Sequence, residues 1–471
     1  MQPPLCVSSL RGRPKMEKNG QKHRRRLVLL PCPFQGHINP MLQLGSFLHS
    51  KGFSITVIHC NFNSPNPSNQ PSFEFIPFQD GLSCNDVSSG DIVRIIQRAN
   101  VGCKSHLHEC LSQIITQRRG GQKDDVACII HDELMYISQS VANSLKLPSI
   151  VFRTTCAATS LARTAIPILK AEGYIPFQDS ESQDPVPGLH LLRFKDLPIP
   201  RSKTLGGFEQ LVVDAYNIGT SSAIVWNTME SLELSLLEQI QQQCQVPVLP
   251  VGPVHKFAPA SYCSSLLEED RSCMSWLGKQ TKNSVIYVSM GSLAFMDEKE
   301  LTEMAWGLAN SQQPFLWVIR PGSNSDGSDQ RIEELPKVLR ETFGERGCIV
   351  KWAPQKEVLA HSSVGGFLSH CGWNSTLESI CEGVPMICRP SFGDQKVNAR
   401  YLSHVWRVGF ELEELERAQI EKAVRKLMVD KEGEAVRENA NNLKGKAELC
   451  IREGGSSDNS LNRLVDMIMS F

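Results

Sequence analysis

A histidine steered by a carboxylate can act as a general base near neutral pH, and this chain offers such a pair. His37 lies in the segment Pro33–Pro40 (PFQGHINP), directly after the apolar run Arg26–Leu30. Asp132 follows another apolar run, Val126–Ile130, with His131 between them. If both runs are strands of one parallel sheet, both side chains sit at its carboxyl edge, where open α/β sheets bind ligands. Glu133 competes with Asp132 for the partner role. His131 is expected to point away or line the pocket, and Asp124 and Asp125 precede the strand and belong to its opposite end.

A second set of chemically suggestive residues fills the stretch Trp352–Gln395. Trp352 can stack on a flat base. His370–Ser375 (HCGWNS) follows the apolar run Gly366–Leu368 and opens a helical stretch, a strand–turn–helix junction whose free N–H groups and dipole favour phosphate. Gly372 permits close backbone approach, and His370, Asn374 and Ser375 add side-chain donors. Glu378 falls four residues after Asn374, on the same helical face; a carboxylate there repels phosphate but can accept both hydroxyls of a ribose. Asp394 and Gln395 together offer a carboxylate and an amide to sugar hydroxyls. Ser289–Ser292 (SMGS), after the run Val285–Val288, is a small-residue turn suited to phosphate oxygens, with Gly291 and Ser292 at its tip.

The whole stretch Trp352–Gln395 closely resembles the 44-residue nucleotide-sugar box of plant family 1 UDP-dependent glycosyltransferases, with its spacing kept. The resemblance extends over nearly the whole chain. It implies a GT-B fold, two Rossmann-like doubly wound domains facing across a cleft. It implies that Trp352, Ala353, Gln355, His370, Gly372, Asn374, Ser375, Glu378 and Ser292 bind UDP. It implies that Trp373, Asp394, Gln395 and Thr154 hold the sugar, with Thr155 an adjacent substitute for Thr154. His37 then matches the catalytic histidine of the family's G-H-x-x-P loop, and Asp132 its partner. Gln395 together with Trp373 resembles the glucose-using pattern, so UDP-glucose is the expected donor substrate. The reaction is expected to invert the anomeric carbon, and the acceptor to be a terpenoid, phenolic, cytokinin-like molecule or hydroxy acid. One departure stands out: Met290 occupies a place where the family more often carries phenylalanine, a change expected to alter packing and not chemistry. No D-x-D pair occurs, so no metal and no further cofactor is expected. Two rivals remain open at this point, another enzyme of the same architecture (an epimerase or phosphorylase) and a non-catalytic binder of sugar nucleotides.

The elements needed to position these residues are legible in the apolar patterning. At 471 residues the chain suits two domains, and its 41% apolar and 21% charged composition is ordinary for a globular protein. A net charge of −1 gives no pull toward nucleic acid. No apolar run is long enough for a membrane span, and a cytoplasmic monomer is expected. Sixteen cysteines contain no C-x-x-C pair, which favours free buried thiols over zinc or disulfides. Strands are expected at Arg26–Leu30, Ser54–His59, Val126–Ile130, Ser149–Phe152 and Ala223–Val225, and again at Val285–Val288, Phe315–Ile319, Cys348–Val350, Gly366–Leu368 and Met386–Cys388. Helices are expected at Ile38–Lys51, Glu298–Ala309, Asn374–Glu382, Gln395–Val405 and Arg417–Val429. Continuous apolar strands alternating with helices predict parallel sheets covered on both faces. Four prolines within Val246–Ala260 predict a linker. The expected organisation is a disordered basic tail over residues 1–25, with Met16 a candidate second start. An acceptor domain over 26–246 and a linker over 247–265 follow. A UDP-sugar domain over 266–454 comes next, then a terminal helix over 455–471 returning to the first domain. The segment Ser323–Gln330 reads as a surface loop. The acceptor pocket is expected near Phe34, Met135 and loops at Gly81–Ala99 and Ala165–Gln183, and its apolar residues predict a largely apolar acceptor.

Overall fold

Two parallel sheets organise the chain. The first has seven strands in the spatial order Val248–Pro250, Ala223–Trp226, Ser149–Arg153, Val126–Asp132, Arg26–Leu30, Ser54–Cys60 and Glu74–Phe78. The second has six, in the order Gly347–Val350, Phe315–Val318, Val285–Ser289, Val364–Ser369, Met386–Cys388 and Gly409–Glu411. Every pairing within these two sheets is parallel. The structure, a computed structural model, describes residues 25–116, 118–119, 122–123, 125–200, 205–259, 265–293, 296–320 and 343–471. The expected loop Ser323–Gln330 and residues 1–24 of the expected tail lie outside the described residues.

The sheet order explains why chemistry collects where it does. In the first sheet the chain runs outward from Arg26–Leu30 in one direction through Ser54–Cys60, then returns to place Val126–Asp132 on the other side. The crevice between those two central strands is a topological switch point, and His37 and Asp132 flank it. The second sheet repeats the device between Val285–Ser289 and Val364–Ser369. Gly291 and Ser292 follow the first of these strands, and His370–Ser375 the second. The central strands are buried along their length because helices cover both faces.

Several elements differ from expectation for physical reasons. The proline-rich linker begins with a strand, Val248–Pro250, where residues from 247 were expected to be irregular. It lies at the edge of the first sheet, the place where proline costs least. Edge strands Glu74–Phe78, which contains Pro77, and Gly409–Glu411 escaped the pattern reading because they are short and mixed in polarity. Much of the region Gly81–Ala99 expected to be loop is helix, at Cys84–Ser88 and in the 25-residue helix Ile92–Thr116. The helix expected over Gln395–Val405 is an α-helix over Asp394–Arg400 continued by a π turn at Tyr401–Val405.

The last helix, Ser456–Ser470, buries Leu461, Leu464 and Ile468 in one cluster with Leu27, Leu29 and Val225 of the first sheet. Ser457 Oγ donates to the Gly252 carbonyl at 2.6 Å, tying together the two places where the chain crosses between halves. Among the described residues the cysteines are unpaired thiols, and no helix is long and apolar enough to cross a membrane.

Candidate active site

His37 belongs to the helix Gln35–Ser50, which starts three residues earlier than its apolar pattern indicates. Its Nδ1 lies 2.8 Å from Asp132 Oδ2. The other Asp132 oxygen accepts from the Leu134 N–H at 2.9 Å, and the carboxylate is fully buried at the end of its strand. Glu133, the rival partner, turns away: its carboxylate faces Arg153 (3.3 Å) and Arg163 (3.2 Å). His131 is buried and directs Nδ1 at the Asp132 carbonyl, 3.1 Å away. Burial pulls the His37 pKa down, but the charge and hydrogen bond of Asp132 outweigh it, and the net shift is upward. With Nδ1 held by Asp132, Nε2 on the opposite side of the ring is the nitrogen left for a ligand. Such a histidine can take a proton and keep it as an imidazolium beside a buried anion.

Thr154, expected against the sugar, places its hydroxyl 2.9 Å from the same His37 nitrogen while also lining the cavity. Cys32 lies under this pair. Its thiol, with His37 and Asp132, is the one group of three possible metal ligands among the described residues, all within 4.8 Å of one another. Burial, reinforced by Asp132, pushes the Cys32 thiol well up, so it stays protonated, and the other two side chains already satisfy each other. The arrangement is that of an acid–base pair beside a neutral thiol.

Facing this pair is the helix Trp373–Glu382, whose N-cap is Gly372. One proline makes possible one of the contacts by which the two halves meet. Pro40 has no N–H to give the Gly36 carbonyl four residues earlier, and that carbonyl accepts instead from Asn374 Nδ2 at 2.8 Å. Trp373 donates its indole N–H to the Asn227 carbonyl at 2.7 Å and is 3% exposed. Its indole N–H is therefore spent across the domain boundary, while the residue, expected to hold the sugar, also lines the cavity. Asn227, a residue the sequence reading missed, carries no local motif that could have revealed it.

His370 sits between two glycines. A Cβ on Gly291 would come within 2.4 Å of its Nε2, and one on Gly372 within 2.5 Å. Gly291 also adopts φ +76°, which disfavours any side chain. Burial lowers the His370 pKa to about 4, so the ring is neutral and offers a single N–H. Further along, Gln355 Nε2 donates to Ser375 Oγ (2.9 Å) and Glu378 Oε2 (2.7 Å), while the Tyr287 hydroxyl donates to Gln355 Oε1 (3.2 Å). This chain aims Glu378, whose carboxyl burial pushes up. Half-buried Trp352 and buried Ala353 stand beside it. Gln395 accepts from the N–H groups of Ser391 (2.9 Å) and Phe392 (3.3 Å), which fixes its amide and leaves its NH₂ to the cavity. Asp394 accepts from Asn398 at 3.2 Å.

One cavity of about 1830 Å³ joins these parts. Ser292, Trp352, Ala353, Gln355, His370, Gly372, Trp373, Asn374, Ser375, Glu378, Asp394, Gln395, Thr154 and His37 all line it; Asp132 stands behind His37. The volume exceeds the roughly 300–1,000 Å³ of a pocket for one small ligand and has room for two. Beyond His37 the wall carries an apolar face formed by Phe34, Ile92, Ile96, Phe208, Leu211 and Val212, with Asn63, Asp91 and Arg94 also lining the cavity. Met135 does not line it, being packed in the core, nor does the segment Ala165–Gln183. The helix Leu205–Tyr216 takes that place, with Arg163 and Tyr216 adding polar atoms.

Comparison with known proteins bears on the family and the fold. A sequence profile described as UDP-glucoronosyl and UDP-glucosyl transferase matches residues 87–444. The chain is 50% identical to UDP-glycosyltransferase 76E1 of Solanum lycopersicum over 95% of its own length and 93% of the relative's. It is 46% identical to flavonol 3-O-glucosyltransferase UGT76E12 of Arabidopsis thaliana, over 94% and 97%. Among solved structures it resembles Phytolacca americana UGT2 complexed with UDP-2-fluoroglucose and pterostilbene (TM-score 0.77, 26% identity, 95% of this chain and 100% of the other). Medicago truncatula UGT71G1 complexed with UDP-glucose gives a TM-score of 0.79 at 25% identity, over 94% and 98%.

Proposed function

The chain belongs to the UDP-glucosyl and UDP-glucuronosyl transferase family, in its plant family 1 branch with the GT-B fold, and from that premise we propose that it transfers glucose from UDP-glucose to a hydroxyl of a small, largely apolar acceptor. The observation that carries this reading is the His37–Asp132 pair at 2.8 Å, facing the nucleotide-sugar residues across a single cavity. The uracil stacks on Trp352, Glu378 accepts the ribose hydroxyls, and the diphosphate meets Ser292, His370 and the N-terminus of the helix Trp373–Glu382. Asp394 and the Gln395 NH₂ hold the glucose. The acceptor lies in the apolar chamber. His37 Nε2 takes the hydroxyl proton, the oxygen attacks the anomeric carbon from the face opposite UDP, and the bond to UDP breaks. The product is a β-glucoside and the pair returns to rest when His37 loses its proton.

Two relatives support the donor and a phenolic acceptor: one is named as a flavonol 3-O-glucosyltransferase, and one structure holds pterostilbene beside UDP-2-fluoroglucose. Terpenoid, phenolic, cytokinin-like and hydroxy-acid acceptors all suit the chamber. We read the leaving UDP as stabilised by the helix N-terminus and neutral donors and not by a metal, because the donor set contains no acidic pair at the diphosphate end. The expected result is that turnover survives EDTA and that kcat/KM for UDP-glucose exceeds that for UDP-galactose and UDP-glucuronate by about tenfold or more. Loss of turnover on chelation, restored by manganese, would refute the metal-free reading; equal use of UDP-galactose would refute the glucose assignment.

A further inference from the structure

The helix Asp394–Arg400, whose first residues would hold the sugar, packs against the helix Ala157–Ala171 of the first half, and the charge of Asp394 acts on Arg163 there. The opposite end of that helix meets the first half as well. Arg400 Nε donates to the Leu191 carbonyl at 2.9 Å, in the strand Leu189–Arg193 of the first half. From the same strand Arg193 donates through Nη2 to both oxygens of Glu411, at 3.0 and 2.8 Å. Glu411 closes the last strand of the second sheet and also accepts from Ser403 Oγ at 2.9 Å. Asp196 completes the group, accepting from Arg193 at 2.8 and 2.9 Å and lying 3.8 Å from Arg400. The Arg193 and Glu411 side chains are 15% and 17% exposed, so water competes poorly for them. Arg193 keeps the Glu411 carboxyl below its usual range although burial alone would raise it.

We propose that Arg193 and Glu411 form a latch between the two halves, and that both are positioning residues for sugar transfer. The proposal rests on the reading that the helix Asp394–Arg400 presents the glucose. That helix is seven residues long, about 10 Å from end to end, and runs straight on into Tyr401–Val405, whose Ser403 donates to Glu411. A shift at Arg400 is therefore passed to Asp394 and Gln395. The crossings near Gly252 and Gly455 hold the halves together at the linker and the returning helix. The latch holds them at a hairpin 218 residues away in sequence from its partner strand. Misplacing reacting atoms by about 1 Å costs on the order of 10²-fold in rate. An isolated exposed pair would contribute little, but here Asp196 holds the Arg193 guanidinium bidentately through Nε and Nη2, and the largely buried Glu411 meets a donor already fixed in place.

The test compares the full chain with R193Q, E411Q, the double variant and R193K. E411Q leaves Arg193 its Asp196 contacts, and R193Q leaves Glu411 its Ser403 contact and Asp196 the backbone N–H of residue 193, so folding should survive. The expected result is a fall in kcat of about 10- to 100-fold in either glutamine variant. UDP affinity, measured by calorimetry, should change less than about twofold, since the nucleotide residues all lie in the second half. The double variant should be no slower than the slower single one, because the two residues act through one contact. R193K should recover part of the rate. The idea is overturned by unchanged kcat in the single variants, by losses that multiply in the double variant, or by losses that merely follow a lowered melting temperature. The comparison is run with whichever UDP-sugar the wild-type chain turns over, so an error in the glucose assignment leaves it intact.

Discussion

Replacing His37 with alanine is expected to slow transfer to an aliphatic alcohol by about 10³- to 10⁴-fold while UDP binds as before. An alcohol holds its proton far more tightly than water at neutral pH can remove, so attack on the anomeric carbon needs a base at the oxygen. His37 is the residue of the cavity wall whose ring is held by a buried carboxylate on one side and open to the acceptor chamber on the other. UDP affinity should not move, because Trp352, Gln355, His370 and Glu378 belong to the other half of the molecule. An acceptor already ionised in solution, such as an acidic phenol, should lose less, since it brings no proton to remove. Calorimetric UDP binding beside initial rates on the two acceptor types checks this. Equal, undiminished rates in His37→Ala would remove the residue from the mechanism.

Asp132→Asn should be nearly as damaging, and it should also move the pH dependence. The active form of His37 is the neutral one. In the wild type its pKa is raised, so turnover should decline as pH falls through a value above 6.5. The main opposing influences are burial, which lowers it, and Asp132, which raises it by charge and by hydrogen bond. Removing the carboxylate leaves burial in command. The acidic limb should then move to lower pH even as the maximum rate falls by on the order of 10³- to 10⁴-fold. The rate falls because the imidazolium loses its counter-charge and an amide can hold the ring in the wrong tautomer. A rate–pH profile of both proteins decides the matter. A limb that stays in place, or moves upward, would mean that Asp132 does not govern the titration.

Much of this site was legible because its parts are strand ends. A parallel strand buried on both faces leaves an unbroken apolar run, and the residue just beyond it is at the ligand edge; His37, Asp132, Gly291 and His370 were all found this way. What the pattern could not show is set by contacts far apart in the chain. Glu133 and Asp132 are indistinguishable neighbours until Arg153 and Arg163, farther along the chain, claim Glu133. The indole of Trp373 points to the sugar in a sequence motif, but the carbonyl of Asn227 takes its N–H. Pro40 looks like a helix breaker, and only the folded chain reveals that it frees a carbonyl for Asn374. Val248–Pro250 reads as a linker because nothing local distinguishes an edge strand rich in proline from irregular chain. The acceptor chamber was placed in part, with Phe34 and the stretch Gly81–Ala99 contributing to its wall as expected; Met135 and the helix Leu205–Tyr216 are both apolar, and tertiary packing alone assigns one to the core and the other to the wall.

The central claim is that the cavity couples a UDP-sugar to a small acceptor. It is tested most directly by following UDP release from UDP-glucose with and without each member of a panel of flavonoid, terpenoid, cytokinin and hydroxy-acid acceptors, with the products identified by mass and the linkage by NMR. The predicted result is release that depends on an acceptor, matched mole for mole by a β-glucoside. Tight binding of UDP-glucose with no acceptor-dependent release across the panel would contradict it.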